Sequence, residues 1–234
     1  MSRIDYIRKE EKKYHDFCYE NYKLFEEGSW LYKPVKTVID LLTLFKGKSN
    51  LKVLDLGSGV GRNSIPIAQE IKNNNGKVVC VDLLDSALNK LKIYSREYEV
   101  DGVIETIKAD IGNYNIAKDE YNLIIAVSTL EHVESDDAFE NVIQRMALGT
   151  KSDGLNCIIV NSEVEEIDIN TGENLDVMME VNMKTSDMIN KLRQSYDGWE
   201  LVNQLVKPLE YKIVRDEKDV LLKTKAITFV VRKQ

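Results

Sequence analysis

The apolar positions along the chain fall into two regimes. Over residues 4–27, apolar or aromatic side chains at 4, 7, 14, 17, 18 and 25 recur at helical intervals, Ser2 or Asp5 can cap the first turn and Gly28 can stop the last, so a helix is predicted. A second helix is predicted after Pro34, a position proline tolerates at a helix start, with Val35, Val38, Leu42 and Phe45 on one face. From Leu51 onward, short β-branched or leucine-rich runs (52–56, 77–82, 104–110, 121–127 and 155–161) alternate with helical stretches (62–72, 85–98 and 136–148). That alternation implies crossover connections and a mainly parallel sheet. Residues 162–183 read as irregular and are followed by a helix at about 186–195. The runs "WELVNQLVKPLEYKIV" and "KAITFVVRK", separated by the polar turn "RDEKDVLLKT", read as a terminal antiparallel pair. No internal repeat or low-complexity segment interrupts this order.

Composition narrows the classes. A chain of 234 residues, 43% hydrophobic, can bury a substantial core as one domain without metal or disulfide support. A net charge of -7 argues against affinity gained by neutralising nucleic-acid phosphates. Cys18, Cys80 and Cys157 are widely spaced and form no C-x-x-C pair, so neither a zinc site nor a disulfide framework is suggested, and core thiols in a reducing cytoplasm are expected. The N-terminal residues are charged throughout and no segment approaches about 18 uninterrupted apolar residues, so no secretory signal or membrane span is predicted.

The stretch "VLDLGSGVGRNSIPIA" (53–68) carries the most chemistry. A P-loop is ruled out, because the one G-K-S, Gly47 to Ser49, lacks the earlier glycine and precedes a strand. A dinucleotide fingerprint needs a third small residue where Arg62 stands. What remains is Asp55, Gly57, Gly59 and Gly61 at alternating spacing. Glycines allow a tight turn and close backbone approach to a ligand, and Asp55 offers a carboxylate suited to an ammonium, although a merely tight strand-to-helix turn would use the same glycines. "VVCVD" ends on Asp82, where an open α/β sheet places an acid for ribose hydroxyls; the competing role is a helix cap, which Asp85 could fill instead.

With this D-x-G-x-G-x-G spacing, the chain from about residue 30 to its end resembles the class I S-adenosylmethionine-dependent methyltransferases. The resemblance implies a Rossmann-like α/β fold: a seven-stranded, mostly parallel sheet with helices on both faces, the last strand antiparallel, and an N-terminal helical lid. One domain over 1–234 is expected, with the lid at 1–48, the cofactor core at 51–161, and a substrate loop, helix and hairpin at 162–234. The implied cofactor is S-adenosyl-L-methionine, released as S-adenosyl-L-homocysteine, contacted by Asp55, Gly57, Ser58, Gly59, Gly61, Asn63, Asp82 and Leu83. Asp110 would meet the adenine amino group, Ile111 the ring, and Ser128 the sulfonium. No metal is implied.

Methyl transfer from a sulfonium is a direct displacement, so the protein mainly positions and desolvates, and a base is needed only if the acceptor must lose a proton. His132 is the candidate base, with a pocket-wall role as the alternative; His15 reads as a surface residue. Glu131 reads as a first-turn acid favoured by the helix dipole or as a substrate contact. Phe17, Tyr19, Tyr22, Trp30 and Tyr32 form an aromatic group that either packs an amphipathic helix or lines the lid, where aromatic faces suit a sulfonium; Tyr19, Trp30 and Tyr32 are the candidate contacts. Residues 162–183 hold seven acids and no Lys or Arg, so Glu163, with Glu165 and Glu166, either selects an amine-bearing acceptor or belongs to a solvated loop.

The expected function is methylation of a small molecule in the cytoplasm, with features resembling the tellurite-resistance-like and related small-molecule branches. The position after the fourth strand reads "STLEHV", not the Asn/Asp-Pro-Pro-aromatic loop of DNA amino methyltransferases. An RNA or protein methyltransferase, a non-catalytic S-adenosylmethionine-binding sensor or assembly protein, and an oxidoreductase are the rivals.

Overall fold

The strands line up as β3-β2-β1-β4-β5-β8-β7 in the computed structural model, which describes residues 2–215 and 218–234. They are β1 (Lys52–Leu56), β2 (Lys77–Asp82), β3 (Ile104–Lys108), β4 (Tyr121–Val127), β5 (Thr150–Asp168), β7 (Glu200–Arg215) and β8 (Lys218–Arg232). A two-residue β6 (Asn174–Leu175) pairs with β5 off this path. The pairs from β3 to β5 are parallel, and β5–β8 and β7–β8 are antiparallel.

Because side chains alternate across a strand, the aliphatic runs build two cores. Val53, Cys80, Leu123 and Cys157 point to one face, against α3 (Ser64–Ile71) and α4 (Asp85–Glu97). Leu54, Leu56, Ile124 and Ile158 point to the other, against α5 (Asp136–Gly149) and α6 (Thr185–Ser195). Among the described residues no helix is long and apolar enough to cross a membrane.

Four local expectations change. Helix α1 (Arg3–Asn21) opens with a capping box, in which Asp5 N–H donates to Ser2 Oγ (3.1 Å) and Ser2 N–H to Asp5 Oδ2 (3.0 Å). It ends at Asn21 rather than at Gly28, since Tyr22 is extended and Phe25 adopts a left-handed backbone (φ 66°) with its ring edge-on to Tyr98. A short helix α2 (Lys36–Leu42) follows the Pro34 segment.

Helix α4 has Leu84 at its cap with no side-chain hydrogen bond, while Asp85 pairs with Lys108, so Asp85 is not the cap. The segment after residue 161 is not irregular. Strand β5 continues to Asp168 with a bulge against β8, because Ser162, Val164, Glu166 and Asp168 point inward and the alternate residues outward. The predicted turn "RDEKDVLLKT" is largely strand β8, and its residues 216 and 217 lie outside the described residues.

Candidate active site

The carboxyl ends of β1 to β4 open on a cavity of about 910 Å³, roofed by α1 and walled on the far side by the β7–β8 hairpin. Such an edge is where open α/β sheets bind ligands. After β1, the N–H groups of Gly57 and Ser58 donate to Val81 O (2.8 and 3.1 Å), which folds the glycine loop over the end of β2. Gly57 (φ 69°) and Gly59 (φ 54°) hold left-handed conformations, and a Cβ on Gly57 would land 2.5 Å from Thr129 Cβ. Ser58 Oγ is buried on the cavity wall with no hydrogen-bond partner. Asn63 also lines the cavity and fixes the chain before α2, accepting from Val35 N–H (2.9 Å). Gly61 sits behind the wall, where a Cβ would strike Leu91.

Asp55 does not reach the cavity. It is buried beneath the loop and accepts from Ser64 Oγ at the start of α3, tying β1 to that helix. Burial pushes its pKa up to about 7, with the Ser64 hydroxyl working the other way. Between the ordinary aspartate value and 7, the folded chain holds a proton that the unfolded chain has lost. Stability from this group therefore falls as pH rises through that window, by at most about 1.4 kcal/mol per pH unit. Asp55→Asn, which removes the titration, is expected to flatten the dependence of the urea midpoint on pH between about 4 and 7; an unaltered slope would assign the proton to another group.

Asp82, 8% exposed, faces the cavity, its Oδ2 accepting from Gly59 N–H (2.8 Å) and its Oδ1 from Leu84 N–H (2.9 Å). Burial raises its pKa, and these backbone donors oppose the rise. Each oxygen keeps a second lone pair for a ligand donor. Leu83, Ile111 and Ser128 share the wall, Ser128 in a left-handed conformation (φ 50°) that turns the chain out of β4. Asp110 accepts from Gly112 N–H (2.8 Å) and pairs with Arg8 Nη2 (3.0 Å).

Helix α1 crosses the cavity by a polar stripe at helical spacing: Arg8, Glu11, His15 and Tyr19. His15 is therefore a cavity residue and not a surface one. Its ring stands edge-on to Trp30 (5.8 Å), Nε2 lies 3.6 Å from Glu11 Oε2, and burial lowers its pKa. Tyr19 and Trp30 are brought to the wall, Trp30 beneath the Arg62 guanidinium (5.1 Å), whose Nη1 donates to Trp30 O (3.0 Å). Tyr32 is turned elsewhere, under Lys33 Nζ (4.4 Å).

Facing the α1 stripe, His132 Nδ1 lies 3.1 Å from Glu180 Oε2. Burial pulls the His132 pKa down, but Glu180, Glu11 and Glu131 outweigh it and push it up to about 9. These carboxylates favour the imidazolium, which has no lone pair to accept a proton, and so work against a role for His132 as base.

Glu131 stands in the first turn of a short 3-10 helix (Leu130–His132) and is fully buried, its Oε1 accepting from Asn161 N–H (3.1 Å) and Nδ2 (2.6 Å), so it braces β5 and does not line the cavity. Glu163 pairs with Lys225 and accepts from Thr185 N–H (3.1 Å), pointing away from the cavity. Arg8, Glu11, Glu180, Tyr211 and Arg215 line the cavity without having been singled out in the sequence. Only the spacing of the α1 stripe could have signalled the first two.

Residues 53–154 match the family model for a methyltransferase domain. Over 124 residues the chain is 23% identical to a carboxy-S-adenosyl-L-methionine synthase of Vibrio cholerae, a match covering 53% of this chain and 49% of that one. It is 26% identical over 132 residues to the tRNA N(3)-methylcytidine methyltransferase trm140 of Schizosaccharomyces pombe, covering 54% and 42%. The chain spans about half the length of these curated relatives. Its fold is that of a Haemonchus contortus phosphoethanolamine N-methyltransferase solved with phosphomonomethylethanolamine and S-adenosylhomocysteine, with TM-score 0.64, 13% identity, and coverage of 100% of this chain and 60% of that one.

Proposed function

We propose that the chain, whose residues 53–154 match the methyltransferase-domain model, is a class I S-adenosylmethionine-dependent methyltransferase that methylates a small acceptor enclosed between α1 and the β7–β8 hairpin. The observation that carries this reading is the cradle at the sheet edge. Gly57 and Gly59 leave no Cβ over the cavity, Ser58 Oγ waits buried without a partner, and Asp82 sits beside them with lone pairs to spare. Those groups fit the amino-acid and ribose parts of S-adenosylmethionine. Asp82 would accept from the ribose hydroxyls, Asp110 from the adenine amino group while sharing Arg8, and Ile111 would pack on the ring.

When bound, the cofactor supplies an electrophilic methyl on a positively charged sulfur. The chain's own part is to hold donor and acceptor in line and keep water out, since a neutral thioether leaves without needing a proton. Helix α1 closes the site by Arg8 to Asp110 (3.0 Å), Glu11 to Arg215 (3.0 Å), and Arg3 Nη2 donating to the carbonyls of Val177 and Met179 (2.9 and 3.0 Å). The same reading takes the chain as one working unit, with residues 1–48 as lid, 51–161 as cofactor core and 162–234 as acceptor side.

Mass spectrometry of ligands carried through purification, followed by an assay for S-adenosylhomocysteine release over oxyanion, thiol and amine acceptors, tests the proposal. Cofactor with turnover on one acceptor class is expected; cofactor without turnover on any would favour a sensor. An RNA acceptor is the second reading, favoured by the match to the tRNA enzyme. The net charge of -7 weighs against it. Binding of tRNA that weakens steeply with salt would support the RNA reading.

A further inference from the structure

The unpartnered buried polar side-chain atoms on the described cavity wall are Arg8 Nε, Ser58 Oγ and Arg215 Nε, each able to donate. Ser58 belongs to the cofactor cradle; Arg8 spans from Asp110 to Glu180 beside His132, and Arg215 reaches in from the β7–β8 hairpin. Each guanidinium is oriented by one carboxylate, Arg8 Nη2 by Asp110 (3.0 Å) and Arg215 Nη2 by Glu11 (3.0 Å). Each Nε then lies beyond hydrogen-bond reach of the next one, 3.8 Å from Glu180 Oε1 and 3.7 Å from Glu166 Oε2. Buried N–H groups left in this way call for acceptor atoms that the protein does not provide.

Four of the seven acids of residues 162–183 have cationic partners within the chain, Asp168 facing Lys218 among them. Glu163 pairs with Lys225, Glu166 takes Met178 N–H (3.1 Å) beside Arg215, and Glu180, buried at 1% exposure, faces His132 and Arg8. Two of the three acids considered as an amine selector, Glu163 and Glu166, thus already face Lys225 and Arg215. His132 turns Nδ1 to Glu180, which leaves Nε2 as its other donor.

We propose that the acceptor carries an oxyanion bound by Arg8, Arg215 and His132, with Glu180 as the positioning residue that holds the His132 ring; this rests on the methyltransferase reading above. The assignment concerns the acceptor's charged group, whichever atom takes the methyl. His132 is faced by Glu11 and His15 from α1, by Glu131 on its own turn and by Glu180, and the three carboxylates keep it cationic up to about pH 9. A cation there attracts an oxyanion and repels an ammonium.

The test is calorimetric titration of the protein saturated with S-adenosylhomocysteine, using acetate and inorganic phosphate in one arm and methylammonium in the other. Anions are expected to bind in preference, and Arg215→Gln and His132→Gln each to weaken them roughly tenfold or more, with retained S-adenosylhomocysteine affinity reporting intact folding. Glu180→Gln is expected to preserve anion binding in acid and to move its upper pH limit down from about 9, a change that a purely structural role would not produce. Preference for methylammonium, or anion binding indifferent to all three substitutions (an adventitious ion only), overturns the subsite. So does a protein that takes S-adenosylhomocysteine and no anion, which leaves the methyltransferase reading standing. A protein that does not take S-adenosylhomocysteine overturns both.

Discussion

Asp82→Ala is expected to reduce S-adenosylmethionine affinity by roughly two to four decades. A carboxylate accepting both ribose hydroxyls makes two charge-assisted hydrogen bonds of about 1.5–3 kcal/mol each, and roughly 1.4 kcal/mol is tenfold. The substitution has a second effect, because the same carboxylate holds Gly59 N–H and Leu84 N–H and so shapes the loop before any ligand arrives. Asp82→Asn separates the two roles. Its amide oxygen can still accept from one backbone group, but its NH2 cannot accept from a hydroxyl, so an intermediate loss is expected. Equilibrium titration reads both variants, and wild-type affinity in Asp82→Ala would refute the ribose assignment.

Gly57→Ala is expected to destabilise the fold by about 2–5 kcal/mol and to abolish cofactor binding. Two penalties add. A left-handed backbone at φ 69° disfavours an L side chain by about 1–2 kcal/mol, and the new methyl would collide with Thr129, 2.5 Å from its Cβ and closer to Oγ1. Overpacking of that kind typically costs about 1–3 kcal/mol. The loop cannot retreat easily, since Gly57 N–H is committed to Val81 O (2.8 Å). Adding Thr129→Gly removes the colliding side chain while leaving the backbone strain. The double variant is therefore expected to recover about 1 kcal/mol or more relative to additivity in urea denaturation. Strict additivity would show that the two residues do not meet.

The sheet, the crossover helices and the positions of Asp82, Asp110 and Ser128 were legible because they depend on local period and on strand ends, where one-dimensional pattern and three-dimensional place coincide. Asp55 was misplaced for a related reason: its position in the motif is visible, but which face of β1 it occupies depends on Ser64 receiving it from below. The acceptor side was largely hidden. Residues 162–168 look like a polar loop because buried Glu166 and Asp168 break the usual rule for inward strand positions, and the partners that permit this, Arg215 and Lys218, lie far along the chain. Arg215 and Glu11 meet across the cavity only once β5 has been extended and the β7–β8 hairpin folded onto it. No local spacing encodes that meeting. His15 was misread because a helical stripe of charged residues looks the same whether it faces solvent or a ligand cavity.

The central claim, that the Gly57–Gly61 loop and Asp82 hold S-adenosylmethionine, is tested most directly by titrating the purified protein side by side with S-adenosylhomocysteine and NAD. Saturable binding of S-adenosylhomocysteine, weakened by decades in Asp82→Ala, and no binding of NAD is the predicted result. Preference for NAD, or S-adenosylhomocysteine binding that ignores Asp82, would contradict it.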